Sequence, residues 1–241
     1  MNKILITFFM LLSISASSYA ALNIDRTRII YHGENNGTSV TIVNKDDASA
    51  FLAQTWIETP DGKKLEHSLV ALPFLQKVNP GQKKQIKISH LEGQNMLPND
   101  KETLLYFNLL GIPPQSKEKN VVQFTIQSKL KLFYRPKGLS YTPKMGKDFQ
   151  QDLVVEKTGQ QITLVNPTPY NIIVVNINNS IEKDNNFNET VVPPQGRSTV
   201  NVNSSVKNNV MLGYIDDYGS LKFSQYSCQS SQACQLTKNT H

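Results

Sequence analysis

Only two cysteines, one tryptophan and four histidines occur in the 241 residues, and each scarcity closes off a class of chemistry. His32, His67, His90 and His241 are scattered in no ligand spacing, so no metal site is expected. No nucleophile elbow and no pair of catalytic acids appears, which argues against a hydrolase and against any enzyme built on such groups. No motif calls for a cofactor. The net charge of +6, one unit of it from Lys3, is spread along the chain. Phosphate binding needs a focused basic stripe, so nucleic acid is excluded as a partner, while a single anionic group on a protein remains compatible. After the first twenty residues no apolar run approaches the roughly 18 residues of a spanning helix, so membrane insertion is not expected. Helical stripes are absent beyond one turn, the best candidate being Ser89 to Met96.

What is present begins with an export signal. Lys3 supplies a positive start, Ile4 to Ile14 is apolar apart from Thr7 and Ser13, and Ser18-Tyr19-Ala20 offers small residues at a cleavage site. Residues 1–20 are therefore expected to be removed, leaving about 220 residues, enough for two ordinary domains. In an exported chain Cys228 and Cys234 read as a local disulfide, since a metal site would need further ligands nearby.

The remainder reads as strand. Thr38 to Val43, Ala50 to Glu58 and Gln82 to His90 alternate, with turns at Thr59-Pro60-Asp61-Gly62 and Asn79-Pro80-Gly81-Gln82. Leu104 to Ile112 is apolar except Asn108, as suits a central strand covered on both faces, and Val121 to Tyr134 alternates over an unusual length. Breakers from Pro136 to Gly146 mark a boundary. Further short strands follow at Leu153–Val155, Ile162–Val165, Ile172–Ile177, Ser198–Val202, Met211–Ile215 and Leu221–Tyr226, with an Asn-rich exposed loop around Asn176 to Asn188. The fold class expected is all-β, with two immunoglobulin-like sandwiches over residues 21–138 and 143–241. The first has no cysteine, so Trp56 is expected to anchor its core in place of a disulfide.

Three constellations remain open on the residues alone. Val122, Phe124 and Ile126 alternate with Gln123, Thr125 and Gln127, as in an ordinary half-buried strand or in an edge kept free to pair with another chain. Arg28 and Lys131 lie in the first and last strands of the first domain; they are either solvated surface charges or two cations converging on one anion. Glu102, Arg135 and Asp217 fall at or near strand ends, and spacing assigns them nothing.

Several motifs together carry a resemblance. Asn23-Ile24-Asp25-Arg26-Thr27-Arg28, Tyr106-Phe107-Asn108, Ile112-Pro113-Pro114, Lys129 through Pro136, Asn166-Pro167-Thr168-Pro169-Tyr170 and Tyr214 through Gly219 resemble, in order, the PapD-like periplasmic pilus chaperones. The resemblance implies two domains in an L with a cleft between them, and a periplasmic chaperone that caps pilus subunits and hands them to an outer-membrane usher. It implies that Arg28 and Lys131 hold the subunit's terminal carboxylate. Val122, Phe124 and Ile126 would fill the groove of an incomplete Ig-like subunit, and Glu102, Arg135 and Asp217 would form an inter-domain ion network. One tension stands: Lys131 and the groove-filling residues differ in parity, so a regular strand puts them on opposite faces unless a bulge intervenes. The short stretch Pro113 to Asn120 resembles the short-loop branch. The free edge also leaves room for self-association of the unliganded protein. An adhesin or carbohydrate-binding sandwich is the alternative; it would show exposed aromatics clustered with acids.

Overall fold

A computed structural model describes residues 22–91, 97–116, 120–139, 141, 148–182, 187–229 and 233–240. The export signal, most of the Ser89–Met96 turn and the breakers Pro143, Lys144 and Gly146 lie outside the described residues. Ser89 and His90 themselves belong to a strand. Among the described residues no helix is long and apolar enough to cross a membrane. The helical content there is one 3₁₀ turn, Phe149–Asp152.

The first sandwich has two sheets. In one, β1 (Leu22–Ile24), β3 (Thr38–Asn44), β7 (Lys83–His90) and β5 (Leu69–Leu72) lie side by side. The other runs β2 (Arg28–His32), β9 (Ile126–Arg135), β8 (Thr103–Ile112), β4 (Phe51–Glu58) and β6 (Leu75–Val78). Alternation places the core: Val40, Ile42, Ile86 and Ile88 of one sheet face Ile29, Tyr31, Leu105, Phe107, Leu109 and Leu132 of the other, all fully or almost fully buried. Each such side chain contributes about 1.5–3 kcal/mol on leaving water.

The second sandwich pairs β10 (Val154–Thr158), β11 (Gln161–Val165) and β14 (Arg197–Asn201). Against these pack β13 (Thr190–Val192), β12 (Ile172–Asn178), β15 (Asn209–Ile215), β16 (Leu221–Ser227) and β17 (Gln235–Thr240). Its core gathers Val155, Ile162, Leu164, Val174, Leu212 and Tyr226. Cys228 and Cys234 are joined as a disulfide between the end of β16 and the start of β17. Closing so short a loop contributes about 2 kcal/mol in the chain-entropy picture.

Four expectations need correction. Trp56 is only half-buried and outside the core: Ala53, Thr55 and Ile57 take the inner face of β4, and their neighbour Trp56 points outward. There its indole N–H donates to Glu58 Oε2 at 3.0 Å, beneath the Lys64 ammonium. The long strand is shorter than its alternation, because its partner β8 ends at Ile112, where Pro113 and Pro114 have no N–H to continue the ladder. Residues 121–125 are therefore unpaired. The Asn-rich loop begins later than expected, since Asn176 and Asn178 belong to β12 and Asn176 is buried. The outer face of β8 is half-buried rather than covered, although the strand is central as expected.

Candidate functional site

The site starts from one register. β2 and β9 run parallel with Arg28 opposite Lys131 and His32 opposite Arg135. Ile29 and Tyr31 on β2, like Leu132 and Tyr134 on β9, point into the core, so Arg28, His32, Lys131, Phe133 and Arg135 share the opposite face. β8 and β9 pair without interruption from Thr103↔Tyr134 to Gly111↔Ile126, so no bulge resets the strand. The parity difference is therefore real: the cations face the second domain, whereas Ile126 lies on the same side as the core residues Leu130 and Leu132.

The second domain answers each cation with an oxygen. Arg135, 2 % exposed, donates from Nε to Glu102 Oε2 at 2.7 Å. It also donates from Nη1 and Nη2 to the two carboxylate oxygens of Asp217, at 2.7 and 2.8 Å. Its guanidinium lies 5.0 Å from the Tyr170 ring and 5.6 Å from that of Phe149. Arg28 Nη1 donates to the Asp216 carbonyl at 2.8 Å, and Lys131 Nζ lies 2.5 Å from Glu189 Oε1.

Two loops of the second domain are built for these contacts, one presenting oxygens to the arginines and the other holding Glu102. In the turn between β15 and β16, Asp216 Oδ1 accepts the N–H groups of Tyr218 and Ser220, at 3.0 and 2.7 Å. Gly219 has φ +86°, and an added Cβ would stand 2.8 Å from Thr27 Oγ1, so glycine lets the turn both close and lie against β2. In Asn166–Tyr170 the buried Asn166 amide donates to the carbonyls of Tyr170, Val192 and Pro193. Its oxygen accepts from Thr168 N and Oγ1. The loop so fixed takes the Glu102 N–H on Pro169 O at 2.8 Å. It then directs Asn171 N and Nδ2 at Glu102 Oε1, both at 2.9 Å.

Burial sets the electrostatics. It raises the Glu102 carboxyl above the ordinary glutamate value, against the opposing pull of Arg135 and the Asn171 donors. Arg135 is opposed by the same burial, yet Asp217 and Glu102 more than offset it and hold the guanidinium above its usual value. Burial lowers Arg28, partly compensated by Asp217, Asp216, Glu189 and Glu102. Beside this row opens a cleft of about 590 Å³ whose lining includes Thr27, Arg28, His32, Tyr141, Asp217 and Tyr218. Arg28 Nε and His32 Nδ1 are buried there without a hydrogen-bond partner among the described residues.

The unpaired segment before β9 is the other half of the site. Val122, Phe124 and Ile126 are 79 %, 77 % and 52 % exposed. Gln123 between them is tied back to the preceding loop, its Nε2 donating to Pro114 O at 2.7 Å. Phe124 and Ile126 border a recess of about 260 Å³ with Leu22, Phe51, Leu109 and Gly111.

The structure thus brings together Arg28 with Lys131, and Glu102 with Arg135 and Asp217. Val122, Phe124 and Ile126 stand apart, on an exposed edge. Sequence reasoning missed Asn171, Asp216, Glu189 and His32. The first two sit inside or beside the motifs already quoted and could have been found there; Glu189 carried no signal. Among the described residues no group of three or more His, Cys, Asp or Glu could hold a metal ion.

Known proteins resemble this chain in sequence and fold. Residues 21–140 match the family described as pili and flagellar-assembly chaperone, PapD N-terminal domain, and residues 148–226 match the pili assembly chaperone PapD C-terminal domain. The chaperone protein PmfD of Proteus mirabilis is 36 % identical over 223 residues, covering 90 % of this chain and 87 % of that one. The chaperone protein PapD of Escherichia coli is 34 % identical over 240 residues, covering 98 % of each. The crystal structure of the periplasmic chaperone SfaE is 32 % identical, covers 83 % of this chain and 95 % of that chain, and superposes with a TM-score of 0.66. The Salmonella enterica SafB chaperone, solved with the SafA pilin, is 23 % identical, covers 88 % and 98 %, and shares the fold at a TM-score of 0.75. The chain belongs to the PapD-like family of pilus-assembly chaperones.

Proposed function

We propose that this chain is a periplasmic chaperone that binds pilus subunits through two joined contacts and delivers them to an outer-membrane usher. The observation that carries this reading is the exposure of Val122 and Phe124 on the unpaired segment before β9 and of Ile126 at the strand's first residue, an apolar edge that a soluble protein does not keep without use. An incomplete Ig-like subunit offers a groove lacking one strand. The backbone of residues 121–125 supplies the missing ladder, and the alternate apolar side chains enter the groove. On the other face of the sheet, Lys131 of β9 and Arg28 of the adjacent β2 hold the subunit's terminal carboxylate, which sets the register of the pairing. No covalent step is involved. The bound strand is later displaced by a segment of the next subunit, so no nucleotide is required.

Glu102, Arg135 and Asp217 act on the relative orientation of the domains, here taken as residues 21–138 and 143–241, and do not touch the subunit. Residues 1–20 act as a cleavable export signal; mass measurement of the periplasmic protein is expected to place its first residue at Ala21. The unliganded edge is the surface through which copies of the chain would associate.

The test is co-purification of a fibre subunit from periplasm with wild type, Arg28→Ala and Lys131→Ala. Either substitution is expected to cost about 2–5 kcal/mol of binding, much of it from stranding the remaining charge, and so to lose the subunit while the chaperone stays folded. Retention by both variants would remove the carboxylate anchor. Failure of wild type to retain any subunit would overturn the chaperone reading for this chain.

A further inference from the structure

We propose that Glu189 stands in for the ligand's carboxylate in the unliganded protein and must leave Lys131 before a subunit can be anchored. The inference rests on the reading of Lys131 as a carboxylate anchor and goes beyond it, because it makes binding an exchange of one carboxylate for another.

The three second-domain residues whose oxygens face the cations are not equivalent. Asp217 is locked by a bidentate contact to the buried Arg135, and the Asp216 carbonyl is fixed in a turn that its own side chain closes. Glu189 instead precedes β13, an edge strand paired only with β12, and its side chain is 44 % exposed against 18 % for Lys131. Water can therefore take Glu189 at little cost. Swinging out, it frees Lys131 beside Arg28, whose Nε is buried without a hydrogen-bond partner among the described residues. A carboxylate arriving there would meet one donor from each residue of the register pair Arg28↔Lys131.

The tether makes Glu189 a filter. An intramolecular carboxylate has an effective concentration on the order of millimolar or above, so scattered free carboxylates do not displace it. A carboxylate carried on a strand that also pairs with residues 121–125 gains enough from that pairing to win. Glu189 in this way restricts the cleft to chain ends that come with a partner edge, and keeps Lys131 paired while the cleft is empty.

The experiment compares wild type, Glu189→Gln and Glu189→Asp. The first probe is sodium acetate, followed through the Lys131 side-chain NMR signals. The second is the last-strand peptide of the co-purifying subunit, made as the free acid and as the C-terminal amide. Glu189→Gln is expected to bind acetate and the free-acid peptide about three- to tenfold more tightly, with no gain for the amide. Glu189→Asp, which keeps the charge but shortens the reach, is expected to resemble Gln. Asp behaving as wild type would show that only the field of the charge matters and would overturn the contact. Equal binding of free acid by wild type and Gln, with the amide still weaker, would overturn the exchange and leave the anchor standing. Free acid and amide equal in every protein, with no acetate effect on Lys131, would remove the anchor itself.

Discussion

Arg135 is almost wholly buried, yet each of its guanidinium nitrogens meets a carboxylate oxygen, two of them in the fork geometry that lysine cannot supply. Its importance was legible only by resemblance, because Glu102 and Asp217 are distant in the chain and charge at a strand end is ordinary. His90 shows a different side of burial. Its ring lies 5.0 Å from Tyr134, edge-on, and 5.3 Å from Tyr31. Burial lowers its pKa below the ordinary histidine value, only partly offset by the Ser68 backbone. The folded state thus prefers the neutral ring. The stability this gives is present above the unfolded value of about 6.5 and is lost as pH falls through the depressed folded value. His90→Phe keeps a ring in place, and Ser68 O still accepts from Leu91 N–H. Its melting temperature is expected to fall less than that of wild type between pH 7.5 and 5. Parallel melting curves across that range would show that His90 does not titrate with folding.

Among the elements, the long alternating strands β3, β4 and β7 and the apolar β8 could be read from residue periodicity alone. The three- and four-residue strands β1, β5, β6 and β13 could not, since so few residues show no period. β4 also shows how periodicity misleads: it gave two faces correctly, but a lone tryptophan suggested the wrong one as the interior. The extension before β9 is the converse case. Its alternation is strand-like, and only the structure shows that Pro113 and Pro114 deny it a partner in the isolated chain. A side chain 77 % exposed contributes little to folding, so Phe124→Ser is expected to change thermal stability by less than about 0.5 kcal/mol. The same substitution is expected to lose most of the subunit in co-purification, because it places a hydroxyl in an apolar groove. A stability loss equal to the binding loss would mean that Phe124 serves its own domain, through the recess beside Leu109, and not a partner.

For the whole molecule the question is what fixes one sandwich relative to the other. Two cores close independently, and the ties between them are polar: Glu102 to Pro169 and Asn171, Arg28 to Asp216, Arg135 to Asp217, Lys131 to Glu189. Polar contacts of this kind are directional, and the role proposed for them is to select an orientation, since a buried ionic network by itself adds little net stability. Asp217 is the informative one to remove, because it is a quarter exposed while the arginine it holds is buried. Asp217→Ala leaves Glu102 and Asn171 in place but strands two guanidinium donors, at a cost of about 1–3 kcal/mol. Water entering beside Tyr218 then competes for Arg135, and the Asp216 carbonyl loses a firm base from which to hold Arg28. Solution scattering is expected to show a broader distribution of inter-domain geometries, with circular dichroism unchanged because neither core is touched. Subunit retention is expected to fall as well, since residues 121–125 and the cleft must meet one ligand together. Scattering identical to wild type would mean that Glu102 with the Asn166–Asn171 loop sets the angle alone. Asp217 would then be a stabilising contact with no part in how the two binding surfaces are aligned.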